Sequence, residues 1–135
     1  MTLKRVVITG LGAVTPIGNT IPEFWDSVIN GKSGAAPITN FDTETILTKT
    51  KFACEVKNFD LSLYMDRKEA RKVDKYTHFA IGAAVQAIED ASIDREKENL
   101  DRIGVVLGVG LGGVESFGEG IDTIHEQKKN GQELK

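Results

Sequence analysis

Two short runs of apolar, mostly β-branched residues stand out along the 135-residue chain. Residues 3–9 are Leu-Lys-Arg-Val-Val-Ile-Thr followed by Gly10, and residues 103–107 are Ile-Gly-Val-Val-Leu without polar alternation. β-Branched residues favour strands, and an apolar run without alternation is typical of a strand covered on both faces, as in a parallel sheet. The pattern therefore predicts two buried strands.

Helical spacing predicts three helices between and after these runs. The first follows the capping-box sequence Thr-Ile-Pro-Glu at 20–23 and ends at Asn30-Gly31. The second is a long helix that begins after Asp66, and the third is a helix over 114–129 that ends at Asn130-Gly131. The long helix has a side rich in alanine, with Gly82 nearby, so we expect it to lie close to a neighbouring backbone. Its recurring positions are Val73, Thr77, Ala80, Ala84, Ile88 and Ala91.

Residues 33–65 are mostly irregular, and alternation around Phe52, Cys54 and Val56 predicts one short strand there. Two strands buried on both faces need lateral partners, and the sequence offers only this weak further candidate. We therefore expect an incomplete α/β domain over 1–135, the opening portion of a larger enzyme. Exposed strand edges promote aggregation, so the isolated polypeptide is expected to be unstable or to associate.

Composition narrows the class of protein. With 40% hydrophobic and 27% charged residues, the chain has the balance of a single globular domain at most. A net charge of −3 and a pI near 5.4 argue against a nucleic-acid-binding domain. The apolar stretches are far shorter than a membrane span, and the N-terminus lacks a signal-peptide pattern. One cysteine forms no internal disulfide, which fits a reducing compartment, so we expect a cytoplasmic protein.

The run Gly-Val-Gly-Leu-Gly-Gly at 108–113 follows a predicted strand and precedes a predicted helix. This is the context of a dinucleotide fingerprint, which makes a nucleotide-binding α/β domain one hypothesis. The acidic residue expected about 20 residues later at the end of a second strand is missing, because 126–133 is predicted to be helix end and tail. Glycines placed for a tight turn or for close helix packing are the favoured interpretation.

Few side chains offer reactive chemistry. Cys54 lies in an alternating strand and is predicted to be a packing residue. His78 and His125 share no metal-type spacing with each other or with Cys54, so structural or surface roles are expected. Four cations in the second helix, spaced i, i+3, i+4 and i+7, favour either a solvated face or a surface that steers an acidic partner. They are Lys68, Arg71, Lys72 and Lys75.

Four segments together resemble a known family. They are Val-Val-Ile-Thr-Gly-Leu-Gly-Ala-Val-Thr-Pro-Ile-Gly-Asn at 6–19, Gly-Lys-Ser-Gly at 31–34, Arg-Lys-Glu-Ala-Arg-Lys-Val-Asp at 67–74 and Gly-Val-Gly-Leu-Gly-Gly at 108–113. In this order and spacing they resemble the N-terminal segment of the β-ketoacyl-acyl-carrier-protein synthases, most closely the type II elongating enzymes. The likeness runs essentially from end to end.

The resemblance implies a thiolase-like fold of two duplicated α/β halves, of which this chain is the N-terminal part of the first. It implies a homodimer that condenses an enzyme-bound acyl chain with malonyl-acyl-carrier protein in fatty-acid elongation, using acyl and malonyl thioester substrates. No metal or redox cofactor is implied. The nucleophilic cysteine and catalytic histidines of the family lie beyond residue 135, so no catalytic residue is assigned here and the fragment is expected to be inactive alone.

Two roles of the family match positions in this chain. Lys68, Arg71 and Lys72 match the basic helix that such enzymes present to the acidic carrier protein, which favours the partner interpretation of these cations. Leu111 matches a position that lines the acyl-chain pocket near the dimer interface. A non-catalytic partner of a true synthase, like a chain-length factor, is the further alternative, and only residues after 135 distinguish it.

Overall fold

The computed structural model describes residues 3–46 and 48–131. Helices dominate this part of the chain. The α-helices are α1 (Ile21–Ile29), α2 (Arg67–Ala70), α3 (Lys75–Asp90) and α4 (Val114–Lys129). The strands are β1 (Ala36–Pro37) and β2 (Phe52–Ala53), and single 3₁₀ turns cover Leu61–Leu63 and Leu100–Arg102. No helix in the described ranges combines the length and apolarity that crossing a bilayer requires.

Helix α1 confirms the predicted capping box. The Thr20 hydroxyl accepts a hydrogen bond from the Glu23 amide at 3.4 Å, while the Glu23 carboxylate accepts one from the Asn19 amide at 2.8 Å. Asn30 is the C-cap, and Gly31 follows in the left-handed region at a φ of 62°. The helix thus begins and ends where its sequence predicts.

The short strand predicted around residue 52 is confirmed, at two residues in length. β2 pairs with β1 in antiparallel orientation, with Ala36 opposite Ala53 and Pro37 opposite Phe52. The Glu55 carboxylate stabilises the hairpin beyond this ladder, because it accepts hydrogen bonds from the Thr39 hydroxyl at 2.6 Å and from the Thr39 and Asn40 amides. These contacts connect the two arms of the irregular region.

The prediction of one long helix after Asp66 is wrong in one respect, because the structure has two helices there. Helix α2 ends at Ala70, and α3 begins only at Lys75. The residue between them that breaks the helix is Asp74, whose backbone is extended at φ −76° and ψ 163°. Aspartate favours N-cap positions, where its backbone leaves the helical region. A second aspartate eight residues after Asp66 therefore starts a new helix.

The prediction that the alanine-rich side of α3 lies against a backbone is confirmed. A Cβ atom on Gly10 would lie 2.3 Å from the Ala87 carbonyl oxygen, and one on Gly12 would lie 1.9 Å from the Ala83 carbonyl oxygen. Any side chain at these positions would overlap the backbone of α3. The segment around Gly10–Gly12 therefore packs directly on the helix.

The prediction of strands at 3–9 and 103–107 is wrong for this structure. Neither segment forms a strand, and the sheet in the described residues is the two-stranded β1–β2 hairpin alone. Their apolar side chains face solvent, with Val6 89%, Ile8 83% and Val106 97% exposed. A strand requires a neighbour for its backbone N–H and C=O groups, and no described segment supplies one.

Apolar surface is exposed across the whole molecule. No hydrophobic side chain in the described residues is buried, and α4 leaves Val114, Phe117, Ile121 and Ile124 open along the side that its sequence predicts. The chain exposes 11684 Å². A compact monomer of 14.7 kDa exposes about 7,000 Å². The excess is comparable to the surfaces that obligate partners bury, so these faces have the character of surfaces that other polypeptide covers.

Candidate functional site

The basic segment, residues 67–75, does not lie on one helix face as the spacing predicts. Lys68 belongs to α2, Arg71 is the C-cap of that helix, Lys72 lies in the following turn, and Lys75 begins α3. All four side chains are exposed. The cations therefore project from a helix, a turn and a second helix start in succession.

Charges in this segment are partly neutralised. Lys72 forms an ion pair with Glu69 at 2.6 Å, and Lys75 approaches Glu115 at 3.7 Å. Lys68 and Arg71 have no carboxylate within 4 Å among the described residues. Both of the latter cations are thus available to an acidic partner without breaking an existing ion pair.

The aspartates at either end of the segment already bind other groups. The Asp66 carboxylate accepts hydrogen bonds from the amides of Lys68 at 2.6 Å and Glu69 at 3.3 Å, as an N-cap does. The Asp74 carboxylate accepts a hydrogen bond from the Ser116 hydroxyl in α4. Neither carboxylate pairs with Lys68 or Arg71, so the segment presents a local positive surface on an acidic chain.

The glycine bend, residues 108–113, lies beside the start of α3. Leu111 is 82% exposed and borders a cavity of about 230 Å³. The same cavity is lined by Asp74, Lys75, Tyr76, Gly113, Val114 and Glu115. The structure therefore places Leu111 at a cavity that also contacts the last cation of the basic segment.

Close contacts explain why this bend needs glycine. A Cβ atom on Gly112 would lie 3.0 Å from the Tyr76 ring, and one on Gly113 would lie 3.0 Å from the Asp74 carboxylate. Gly113 also has a φ of 67°, in the left-handed region that glycine adopts without strain. Sequence reasoning missed Asp74 and Tyr76 as residues that line the cavity with Leu111, and Ser116 as the partner of Asp74. Only the capping preference of an aspartate marks Asp74 in advance.

A larger cavity of about 580 Å³ lies between the hairpin and α3. Cys54 and His78 both line it. Cys54 is exposed, so the prediction that it is a packing residue is wrong: β2 has a single neighbouring strand and nothing described covers the thiol. His78 has a structural contact, since its Nε2 atom lies 2.9 Å from the Ala70 carbonyl oxygen and ties α2 to α3.

The nucleotide-binding alternative lacks its structural context. A dinucleotide fingerprint requires a strand before the glycine bend, and 103–107 form none in the structure. Cβ atoms on Gly108 and Gly110 would meet nothing within 4 Å. The glycines with close neighbours, Gly112 and Gly113, instead fit the favoured interpretation of a tight turn and close packing. No cluster of metal-ligating side chains occurs within 3–46 and 48–131.

Comparison with known proteins identifies relatives along the whole chain. Residues 3–134 match the family model described as the β-ketoacyl synthase N-terminal domain. The chain is 48% identical over 111 residues to a 3-oxoacyl-[acyl-carrier-protein] synthase 2 of Synechocystis sp., which covers 82% of this chain and 26% of the relative. It is 41% identical over 127 residues to the synthase 2 of Vibrio cholerae, covering 94% of this chain and 30% of that protein.

Solved structures support a ketosynthase fold of the thiolase-like type. The ishigamide ketosynthase/chain length factor has 32% identity and a TM-score of 0.60, covering 67% of this chain and 22% of its own. A type II polyketide ketosynthase bound to a hexaketide and in complex with its acyl-carrier protein has 24% identity and a TM-score of 0.70, covering 96% of this chain and 34% of its own. At 24% identity, the similarity to this second structure supports the fold alone.

In each comparison, the chain spans only about a fifth to a third of the relative's length. The matched residues include the basic segment and the glycine bend as well as α1 and α3. Because the family model covers almost every residue, the chain belongs to the β-ketoacyl synthase family and represents an N-terminal portion of it.

Proposed function

We propose that this chain is the N-terminal part of a 3-oxoacyl-[acyl-carrier-protein] synthase of the type 2 class, which condenses an acyl-enzyme with malonyl-acyl-carrier protein in fatty-acid elongation. The observation that carries the proposal is the family match over 3–134 together with 41–48% identity to synthases of this name. The excess exposed surface supports it, because the remaining two thirds or more of such an enzyme would cover these faces. The complete enzyme is proposed to work as a cytoplasmic homodimer.

The chemistry of that enzyme assigns this segment a binding role. A thiolate supplied elsewhere in the complete protein would take the acyl group from the carrier thioester and release the carrier thiol. Decarboxylation of the malonyl group would release carbon dioxide and supply the carbon nucleophile, which forms a carbon–carbon bond with the acyl group and frees the enzyme thiolate. Residues 3–131 would contribute the docking of the carrier and part of the acyl pocket. No catalytic role in these steps is proposed for Cys54, His78 or His125.

Lys68, Arg71 and Lys72 are proposed to bind the acidic carrier protein. Their side chains are exposed, and Lys68 and Arg71 are free of ion pairs within the described residues. Complementary charge steers two proteins together, raises the association rate and contributes to specificity. A partner that binds through such a surface loses affinity as salt increases, because exposed charges are screened over about 8–10 Å at physiological ionic strength.

Charge reversal tests this docking surface in the complete enzyme. The triple variant Lys68→Glu, Arg71→Glu, Lys72→Glu is expected to weaken carrier binding at least about tenfold at low salt, because each exposed pair contributes up to about 1 kcal/mol and reversal adds repulsion. Titration calorimetry at two salt concentrations measures the effect, which should shrink at high salt. A matched control reverses Lys97, Lys128 and Lys129, which changes net charge equally outside the basic segment. Equal affinities for both variants would refute the docking surface.

A non-catalytic partner of a synthase is the second candidate function. It is favoured by the structural likeness to a ketosynthase/chain length factor, an assembly that contains both kinds of subunit. The two candidates differ in whether the complete polypeptide forms an acyl-enzyme. Mass spectrometry after incubation with an acyl thioester shows a covalent acyl adduct for a synthase and none for a chain-length factor.

A further inference from the structure

The side chain of Asp74, the N-cap residue of α3, lacks the capping hydrogen bond that this position normally makes. An N-cap aspartate usually accepts a hydrogen bond from an amide in the first helical turn. At Asp74 the backbone has the extended N-cap geometry, yet the carboxylate makes no such bond. It accepts one from the Ser116 hydroxyl, 42 residues away in the chain. A hydrogen bond to α4 thus takes the place of the usual capping hydrogen bond within α3.

The partner of this carboxylate lies in the first turn of α4, immediately after the glycine bend. Gly113, the residue before α4, has a φ of 67° and also offers no capping side chain. A Cβ atom on Gly113 would lie 3.0 Å from the second Asp74 oxygen. One carboxylate thus binds Ser116 on one side and limits residue 113 to glycine on the other.

The neighbours of Asp74 contact the same bend. Lys75 lies 3.7 Å from Glu115, and the Tyr76 ring lies where a side chain on Gly112 would be. The N-cap residue of α3 and its first two residues therefore each contact a residue of 112–116. Leu111 borders the cavity formed between them. Because the exposed ion pair alone is weak, the Asp74–Ser116 hydrogen bond is the principal polar tie in this group.

We propose that Asp74 and Ser116 are positioning residues that determine acyl-chain selectivity by holding the glycine bend and Leu111 in place. This inference rests on the proposed function, in which Leu111 forms one wall of the acyl pocket. Loss of the hydrogen bond would let the bend move away from α3. The pocket wall would then shift, and substrates that differ only in acyl length would be distinguished less well.

The test uses the complete synthase and acyl thioesters of short and long chain length. For Ser116→Ala, the ratio of kcat/KM between preferred and non-preferred lengths is expected to fall about three- to tenfold, as for the net loss of one exposed hydrogen bond. Ser116→Thr keeps the hydroxyl and should restore the ratio. Ser62→Ala is a matched control, since the Ser62 hydroxyl also binds an exposed carboxylate, Asp60, at 2.6 Å, away from the bend.

A double-mutant cycle shows whether the two residues act through one bond. Asp74→Ala removes the acceptor of the Ser116 hydroxyl, and because the Asp74 side chain makes no capping hydrogen bond, α3 is expected to fold. It provides an independent variant should Ser116→Ala not fold. Combined with Ser116→Ala, its effect on selectivity should not add. Unchanged selectivity in folded Asp74→Ala or Ser116→Ala, or an equal change in Ser62→Ala, would overturn the inference. A wild-type complete protein without condensing activity would instead refute the proposed function itself.

Discussion

Gly12 packs so closely on α3 that any side chain at this position is predicted to destabilise the packing. An alanine Cβ at residue 12 would lie 1.9 Å from the Ala83 carbonyl oxygen and 2.8 Å from the Ala87 amide nitrogen. An ordinary van der Waals contact begins near 3.4 Å, so the two backbones must separate by more than 1 Å. Both obstacles are backbone atoms that no rotamer change can move.

We expect Gly12→Ala to destabilise the packing of 10–14 on α3 by about 2 kcal/mol or more, in the range measured for overpacked sites. An energy of this size corresponds to a roughly 30-fold change in an opening equilibrium. Two hydrogen bonds should weaken together with the packing, those from the Leu11 amide to Asp90 at 2.8 Å and from the Ala13 amide to Gln86 at 3.3 Å.

Hydrogen exchange of the complete protein, followed by mass spectrometry, measures this opening in α3. The control is Gly120→Ala, because a Cβ atom at residue 120 in α4 meets nothing within 4 Å. There alanine should stabilise the helix by about 0.5–1 kcal/mol, through lower unfolded-state entropy and higher helix propensity. If Gly12→Ala left exchange in α3 as slow as Gly120→Ala does, the close approach would not be a packing constraint.

Two further predictions follow from the hairpin and the exposed surface. The pKa of the Glu55 carboxyl lies below its ordinary value of 4.5, mainly because the Thr39 hydroxyl donates to it and also because the Thr39 and Asn40 amides do. A lowered pKa stabilises the folded state above pH 4.5, and this stability is lost as the pH falls through the folded-state value. Circular dichroism melts of the complete protein should therefore depend less steeply on pH in that window for Glu55→Gln than for the wild type. The isolated 135-residue chain is expected to associate and to melt without cooperativity, so a monomeric species with one sharp transition in ultracentrifugation and calorimetry would contradict the exposed-surface argument.

Local elements of the fold were predictable where the deciding contacts are close in sequence. The capping box of α1, the ends of α1 and α4, and the cap at Asp66 are all determined within a few residues. The same locality explains the missed break before α3, because its signal is a single aspartate within otherwise helical spacing. The helical spacing of apolar positions already includes Val73, although residues 71–74 are not helical.

Strands depend on partners, and this is where sequence reasoning was wrong. Residues 3–9 and 103–107 have the composition of buried strands, but burial and pairing require other segments beside them. In the described structure those segments are absent, so Val6 and Val106 face solvent. Cys54 is exposed for a related reason, since alternation identifies the face of a strand and does not supply what covers it.

For the candidate site, the sequence predicts which residues are present, whereas their proximity depends on distant parts of the chain. The identity of the cations Lys68, Arg71 and Lys72, and of the glycines around Leu111, follows from the sequence by itself, because residue type decides charge and backbone freedom. Their proximity does not, because Asp74 and Ser116 are 42 residues apart and no periodicity relates them. Only the tertiary structure brings the start of α3 against the glycine bend, since a hydrogen bond between distant residues depends on how the whole chain folds between them.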